Sequence, residues 1–184
     1  RTDNVKPTFT TGFPVDFNLY RPVTTSSWVT NTRLLGKKIL YTDSSGSEQS
    51  TSNYEFDHNT GMGNWTGDQS VYKSWLWKRH SGFDVVAFKG TADNPGPTYA
   101  HGLGKTPELK IIKRRNASNT GWIGTGTVIS QAKAGNLTSA KDYYFYWDTQ
   151  AAVSSSSNYW SGNDTSTHFT VRHGNGEGGG GEQS

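Results

Sequence analysis

The chain has 184 residues, of which 31% are hydrophobic and 13% aromatic, and its formal net charge is +3. This length allows one or two domains with a real core, and aromatic rings must supply much of the buried area. Short basic pairs scattered along the chain are typical of solvated strand ends, so we expect no nucleic-acid partner. No apolar run approaches the roughly 18 residues of a membrane span, so we expect no membrane insertion. There is no cysteine, so packing or oligomerisation must take the place of disulfides.

The first half of the chain consists of short segments in which side chains of different character alternate, separated by clusters of turn-forming residues. Such alternation is typical of antiparallel strands. Strands are predicted at three places in this half: Val15–Tyr20, Lys37–Thr42 and Tyr72–Lys78. In the last of them, period-two alternation places Trp75 and Trp77 on one face and Leu76 on the other.

The second half has the same character and begins with a strand predicted at Phe83–Lys89, between two glycines. A turn is predicted at Asp93–Pro97, and Gly102 and Gly104 are expected to adopt positive φ in a tight connection. A single helical turn is expected within Ser130–Ala140. Further strands are predicted at three places: Glu108–Arg114, Tyr143–Trp147 and Phe169–Val171.

Part of the sequence occurs twice. Residues 40–54 aligned with 145–159 share six identities in fifteen positions, without a gap. Upstream, three residues keep their order in both copies: Pro14, Arg21 and Trp28 in the first, and Pro107, Lys113 and Trp122 in the second. Internal repeats of this kind indicate a repeated structural unit. A unit duplicated without duplicated chemistry points to a structural or binding module.

The duplication predicts two related β-rich units at 1–80 and 81–173, followed at 174–184 by a glycine-rich linker or loop of a longer parent chain. If the two units are related, their residues should correspond in pairs. The expected pairs are Pro14 with Pro107, Tyr41 with Tyr146, Asp43 with Asp148, Asn53 with Asn158, and Tyr54 with Tyr159.

The stretches 81–90 and 99–115 contain the run His101-Gly102-Leu103-Gly104, then Pro107-Glu108-Leu109 and Lys113-Arg114-Arg115. This pattern resembles a repeat domain of large virion-associated proteins of tailed bacteriophages, in tail fibres or similar appendages, marine and cyanophage-like ones especially. The resemblance covers nearly the whole chain. It implies an all-β fold, a lectin-like antiparallel β-sandwich of jelly-roll or concanavalin-like type, built here from two related units. The second copy reaches the glycine-rich run before any counterpart of the strand at 71–78.

Candidate catalytic and metal-binding constellations are weak, and we predict no catalytic residues, no metal site and no cofactor. The five histidines lack the spacing of a metal-binding pair on a helix. They are His58, His80, His101, His168 and His173. A glycosidase needs two carboxylates that face each other across a cleft. Glu48 and Glu55 are available, but they fall opposite Val153 and Trp160 in the repeat, so neither is a shared feature.

The leading functional hypothesis is a non-enzymatic structural component of a phage virion, most simply part of a tail fibre or appendage involved in host attachment. Its expected partners are other virion proteins and further copies of itself, with a trimer favoured. Two alternatives remain: a capsid decoration or head-fibre protein, and a carbohydrate-binding module for host-surface glycans. Aromatic rings can stack on sugars while amides and carboxylates bond their hydroxyls. The candidate sugar-binding residues are Asn64, Trp65, Trp160, Asn163 and Asp164.

Overall fold

The computed structural model describes residues 6–24, 27–64, 71–91, 96–116, 121–129, 143–156 and 163–171. Within these ranges the chain forms thirteen short strands, a 3-10 turn at Arg33–Leu35, and helical residues at 127–129. All the strand pairs are antiparallel. The predicted all-β antiparallel fold class is therefore confirmed.

The chain divides into two compact units. The first contains Arg1–Thr42 and Glu48–Ala87, and the second contains Asp43–Ser47 and Phe88–Ser184. The boundary in the structure follows residue 87, whereas the sequence comparison places it at 80. The short loop at 43–47 groups with the second unit although its flanking strands lie in the first.

The first unit is a two-layer sandwich. Its large sheet has the strand order β5-β4-β3-β2-β7, and its small sheet pairs β1 with β6. The strands are β1 (Phe9–Thr10), β2 (Phe17–Pro22), β3 (Val29–Thr32), β4 (Lys38–Tyr41), β5 (Gln49–Ser50), β6 (Gly61–Met62) and β7 (Tyr72–Trp77).

The core of the first unit lies between these two sheets. Tyr20, Val29 and Ile39 from the large sheet pack with Met62 from the small one, and Leu76 packs against the same cluster. Val15 and Met62 have no exposed surface. Trp75 and Trp77 lie on the opposite face of β7 from Leu76, as alternation predicts.

The second unit is built in the same way, from a four-stranded sheet of order β12-β11-β10-β9 and a two-stranded sheet of β13 and β8. Ile112, Ile123, Phe169 and Val171 are among its buried apolar residues. The strands are β8 (Thr98–Ala100), β9 (Lys110–Ile112), β10 (Ile123–Thr125), β11 (Tyr143–Tyr146), β12 (Ser154–Ser155) and β13 (His168–Thr170).

The strand order of the second unit reproduces that of the first. β5-β4-β3-β2 corresponds to β12-β11-β10-β9, and the pair β1-β6 corresponds to β8-β13. A backbone hydrogen bond is reproduced too: Thr42 N donates to Trp28 O at 3.0 Å, and Trp147 N donates to Trp122 O at 2.8 Å. β7 has no counterpart among the residues described for the second unit. One supersecondary arrangement therefore occurs twice in this chain.

Strand register fixes which residues correspond. Tyr41 lies opposite Val29, and Tyr146 lies opposite Ile123, so the predicted pairing of the two tyrosines agrees with the ladders. Asp43 lies two residues after Tyr41, and Asp148 lies two residues after Tyr146, so the two aspartates correspond as well. Asn158 and Tyr159 lie outside the described residues.

The predicted pairing of Pro14 with Pro107 is wrong by one residue. Tyr20 lies opposite Val29, and Ile112 lies opposite Ile123, so these two residues correspond. Counting back five residues from Tyr20 and from Ile112 shows that Val15, not Pro14, corresponds to Pro107. Both of these residues are buried. The sequence pairing matched two prolines by residue type, whereas the feature that the two units share is a buried position, occupied by Val15 in one and Pro107 in the other.

Two local predictions also differ from the structure. Phe83–Lys89 is not a strand: only Phe83 forms a bridge, to His80, and residues 84–90 have no regular structure. The carboxylate of Asp84 accepts a hydrogen bond from Val85 N at 2.8 Å, a local bond that competes with a sheet ladder. Gly104 has φ of 72°, as expected, but Gly102 does not have positive φ. The helical turn predicted within Ser130–Ala140 lies outside the described residues.

Candidate functional site

An aromatic row lies on the outer face of the first unit's large sheet. Strand alternation places Leu19 and Arg21 of β2 on this face, opposite Trp75 and Lys73 of β7. The rings of Trp28 and Trp75 stack with their centroids 5.2 Å apart and their planes at 24°. The Arg21 guanidinium lies over the Trp28 ring at 5.6 Å, in cation–π geometry. We call Arg21, Trp28 and Trp75 the aromatic platform.

The platform presents a ring to solvent, since Trp75 is 44% exposed. Its neighbour Trp77 is held differently, because it contacts both Phe17 and Phe83, with centroid distances of 5.4 and 6.0 Å. Trp75 is therefore the ring of this row that is available to a planar ligand, while Trp77 packs within the unit. The sequence placed the two tryptophans on one face but gave no signal that separated their roles.

A second exposed surface lies on the outer face of the four-stranded sheet. Leu109, Ile111 and Trp147 are 44%, 42% and 46% exposed. Between them, Gly124 lies opposite both Ile111 and Phe145 in the ladders. The Phe145 ring covers Gly124 so closely that a Cβ there would lie 2.0 Å from a ring carbon. We call Leu109, Ile111, Phe145 and Trp147 the apolar face.

The most confined charged groups in the described chain belong to the second unit. Lys110 Nζ lies 2.7 Å from Asp164 Oδ2, and the two side chains are only 7% and 1% exposed. Lys110 Nζ also donates to Thr170 O at 3.1 Å. The other carboxylate oxygen, Asp164 Oδ1, accepts hydrogen bonds from Thr170 N at 2.8 Å and Thr170 Oγ1 at 3.2 Å.

The ring of Phe169 lies beside this pair as part of a cluster of aromatic side chains. Phe169 lies 6.0 Å from Lys110 Nζ, and its own ring contacts Phe88 and Tyr99. Burial in these surroundings lowers the pKa of Lys110 to about 8, although the Asp164 carboxylate opposes the shift. The amine is therefore much closer to its neutral form than an ordinary lysine at neutral pH.

The first unit carries a neutral polar pair at the corresponding position. The ladders match Asn18 with Lys110 and Asn31 with Thr125, and Asn18, Asn31 and Thr125 have no exposed surface. Asn18 Nδ2 donates to Asn31 Oδ1 at 3.1 Å, and Ser74 Oγ donates to Asn18 Oδ1. A buried polar site between the two central strands is thus a shared feature whose chemistry differs between the units.

The predicted sugar-binding residues do not form one described site. The position of Asp164 differs from the prediction. Its side chain is buried against Lys110, so it does not present a carboxylate to a ligand in solvent. Asn64 Nδ2 donates to Glu55 Oε1 at 3.0 Å, and Asn163 is exposed. Trp65 and Trp160 lie outside the described residues.

The two carboxylates considered for hydrolysis are both near lysines. Glu55 lies 3.3 Å from Lys6 and 3.4 Å from Lys37, and Glu48 lies 4.0 Å from Lys38. Desolvation alone would raise the pKa of Glu55, but hydrogen bonds from the two lysines hold it below its usual value. Both groups are therefore arranged as salt-bridge acceptors at the surface.

Within the ranges that the structure describes, no three His, Asp or Glu side chains converge as metal ligands would. No helix in those ranges has the length and apolar character needed to cross a membrane.

The chain belongs to the family described as domain of unknown function (DUF7483), which matches residues 20–183. No curated protein and no solved structure matches the chain. The family match spans most of both units, so the duplicated arrangement lies largely within one family domain.

Proposed function

We propose that this chain is a non-enzymatic structural module of a phage virion, part of a tail fibre or similar appendage. The observation that carries the proposal is the repeated strand order, in which the scaffold is kept and its buried chemistry is not. Asn18 and Lys110 occupy corresponding places, yet one forms a neutral amide pair and the other an ion pair. Selection for catalysis would retain reactive groups, whereas selection for architecture retains only the strands and the buried position.

The resemblance of the run from His101 to Arg115 to phage appendage repeats supplies the location in this proposal. The apolar face supplies the means of assembly. Three side chains more than 40% exposed on one sheet face form the kind of surface that is usually covered in an assembly. A homo-oligomer in which the apolar face meets other copies would cover it, and a trimer is the favoured state.

The location is tested on purified phage particles that encode this chain. Peptides from the chain should be found by mass spectrometry in particles that have been freed of unassembled protein. Gold-labelled antibodies against the folded chain should decorate the tail or its appendages in electron micrographs. Label on the head would favour the head-fibre alternative, and absence from the particles would refute the proposal.

A carbohydrate-binding function is the second candidate, favoured by the aromatic platform. Stacked tryptophans with one half-exposed ring and an adjacent guanidinium can pack on the C–H face of a sugar and bond its hydroxyls. Glycan-array binding that is lost in Trp75→Ala and kept in Trp77→Phe would support this function. Trp65→Ala and Trp160→Ala test the residues that the sequence singled out. Absence of binding to any glycan by the folded wild-type chain would refute it.

A further inference from the structure

The Lys110–Asp164 pair has a geometry that goes beyond charge neutralisation. The amine contacts one carboxylate oxygen, Oδ2, while the other, Oδ1, is held by the N–H and hydroxyl of Thr170. An amine beside a carboxyl group whose carbonyl oxygen already receives two hydrogen bonds is arranged as for acyl transfer. Both side chains are almost fully buried, so little water can reach an amide bond formed between them to hydrolyse it.

We propose that Lys110 and Asp164 condense to form an intramolecular isopeptide bond that cross-links the second unit. The site is a self-modification site, and both reactants belong to the chain. No oxidant, cofactor or second substrate is needed, because an amine and a carboxylic acid already have the oxidation states of the amide.

The condensation releases one water molecule. Within the buried pair a proton moves from the Lys110 ammonium to Asp164 Oδ2, giving a neutral amine and a neutral carboxylic acid. The lone pair of Nζ then attacks Cγ, and the charge that develops on Oδ1 is stabilised by Thr170 N–H and Oγ1–H. The Cγ–Oδ2 bond breaks, and Oδ2 leaves as water with its own proton and one from Nζ. The product is a secondary amide whose oxygen is Oδ1.

The environment favours each step. Burial lowers the pKa of Lys110, so the nucleophilic neutral amine is accessible near neutral pH. Phe169 lies beside the amine and both side chains of the pair are buried, and burial penalises the charged pair relative to the neutral one. Because the fold already holds the two groups in contact, the reaction does not carry the entropy cost of bringing them together.

The bond would join the two layers of the second unit. Lys110 is the first residue of β9 in the four-stranded sheet, and Asp164 precedes β13 of the two-stranded sheet. The cross-link would close a loop running from 110 to 164, which in a chain without cysteine supplies the restraint that a disulfide supplies elsewhere. The first unit is an internal contrast, since Asn18 at the corresponding position offers no amine nucleophile.

The test is the intact mass of the purified, folded full chain. We expect it to be lower than the sequence mass by one water molecule. A protease digest should contain a branched peptide joining the segments around Lys110 and Asp164, identified by tandem mass spectrometry. A folded chain with the full sequence mass and only separate, unbranched peptides would overturn the proposal.

Matched variants locate the bond. Lys110→Met removes the nucleophile and should restore the full sequence mass. Lys113→Met is the control, because Lys113 is also partly buried, donates to Ser45 O at 2.9 Å and should leave the water loss intact. Thr170→Val removes one donor to Oδ1 and should slow the appearance of the cross-linked species. A water loss that persists in Lys110→Met would show that the modification lies elsewhere and would refute the assignment.

Discussion

Each unit holds a pair of buried polar side chains at its centre, and at the residue scale the stability of the fold depends on such pairs. Asn18 and Asn31 are fully buried on neighbouring strands and bond each other, while Thr30 Oγ1 donates to Asn18 O at 2.9 Å. Among the described residues, Asn31 Nδ2 nevertheless has no hydrogen-bond partner. The amide pair depends on both members, because removing one leaves a second buried amide without its bond.

Replacement of Asn18 by Leu should therefore lower the free energy of unfolding by about 1–3 kcal/mol, the cost of stranding a buried polar group. Urea unfolding followed by tryptophan fluorescence measures this. The double variant Asn18→Leu with Asn31→Leu should lose less than the sum of the two single changes. Asn163→Leu, at an exposed position, is the control and should change stability by no more than about 0.5 kcal/mol. Strict additivity would contradict the coupling of the two amides.

Close backbone approach between β1 and β6 requires glycine at position 61. A Cβ there would lie 2.0 Å from Phe9 O and 2.8 Å from Pro7 Cγ, and a backbone oxygen cannot move aside cheaply. Gly61→Ala should destabilise the chain by about 1–3 kcal/mol or more, the range for overpacking. Gly46→Ala, whose new methyl would meet only Ser44 Oγ at 3.2 Å, is the matched control in thermal unfolding. Equal melting temperatures for the two variants would contradict this account.

At the scale of elements, β7 shows how a single strand serves the core and the surface. Leu76→Asn should lower the free energy of unfolding by at least about 2 kcal/mol, because it places an amide against the apolar cluster. Trp75→Asn should cost about 1 kcal/mol or less, the value of an aromatic contact, since its side chain meets water. Chemical unfolding of both variants measures the difference. A larger loss for Trp75→Asn would reverse the assignment of the two faces.

Alternation predicted six of the thirteen described strands, chiefly the longer ones, and it missed the shorter strands that pair with them. The six that lie within or overlap a predicted segment are β2, β4, β7, β9, β11 and β13. Phe83–Lys89 has the same alternating appearance, but only Phe83 finds a bridge partner, and strand formation needs a neighbour that local sequence does not specify. Lys110 and Asp164 are 54 positions apart, so no local pattern announced their contact. The aromatic platform was partly predictable from the sequence, because Arg21 and Trp28 are two of the residues whose order along the chain is kept in both copies of the repeat.

At the scale of the whole molecule, the two units share one strand order and differ in their buried and exposed chemistry. The first unit presents the aromatic platform, and the second presents the apolar face and the Lys110–Asp164 pair. Duplication of the scaffold with divergence of its surfaces suits a structural module, in which each copy can take a separate contact. The apolar face is the surface that we assign to self-association.

A charge placed on the apolar face should prevent assembly without unfolding the unit. Ile111→Glu should dissociate the oligomer, because it puts a carboxylate in the middle of an apolar contact while its side chain stays in water in the isolated chain. Lys73→Glu, on the exposed face of β7 in the first unit, is a matched surface control and should leave assembly unchanged. Circular dichroism should show both variants folded. An Ile111→Glu chain that keeps its oligomeric mass would exclude this face.

The most direct test of a self-associating structural module is the mass of the wild-type chain in solution by sedimentation equilibrium over a wide range of concentration. The account predicts a homo-oligomer, a trimer in the favoured case, whose dissociation is driven by dilution. A stable monomer at every concentration, with a single cooperative unfolding transition, would contradict it.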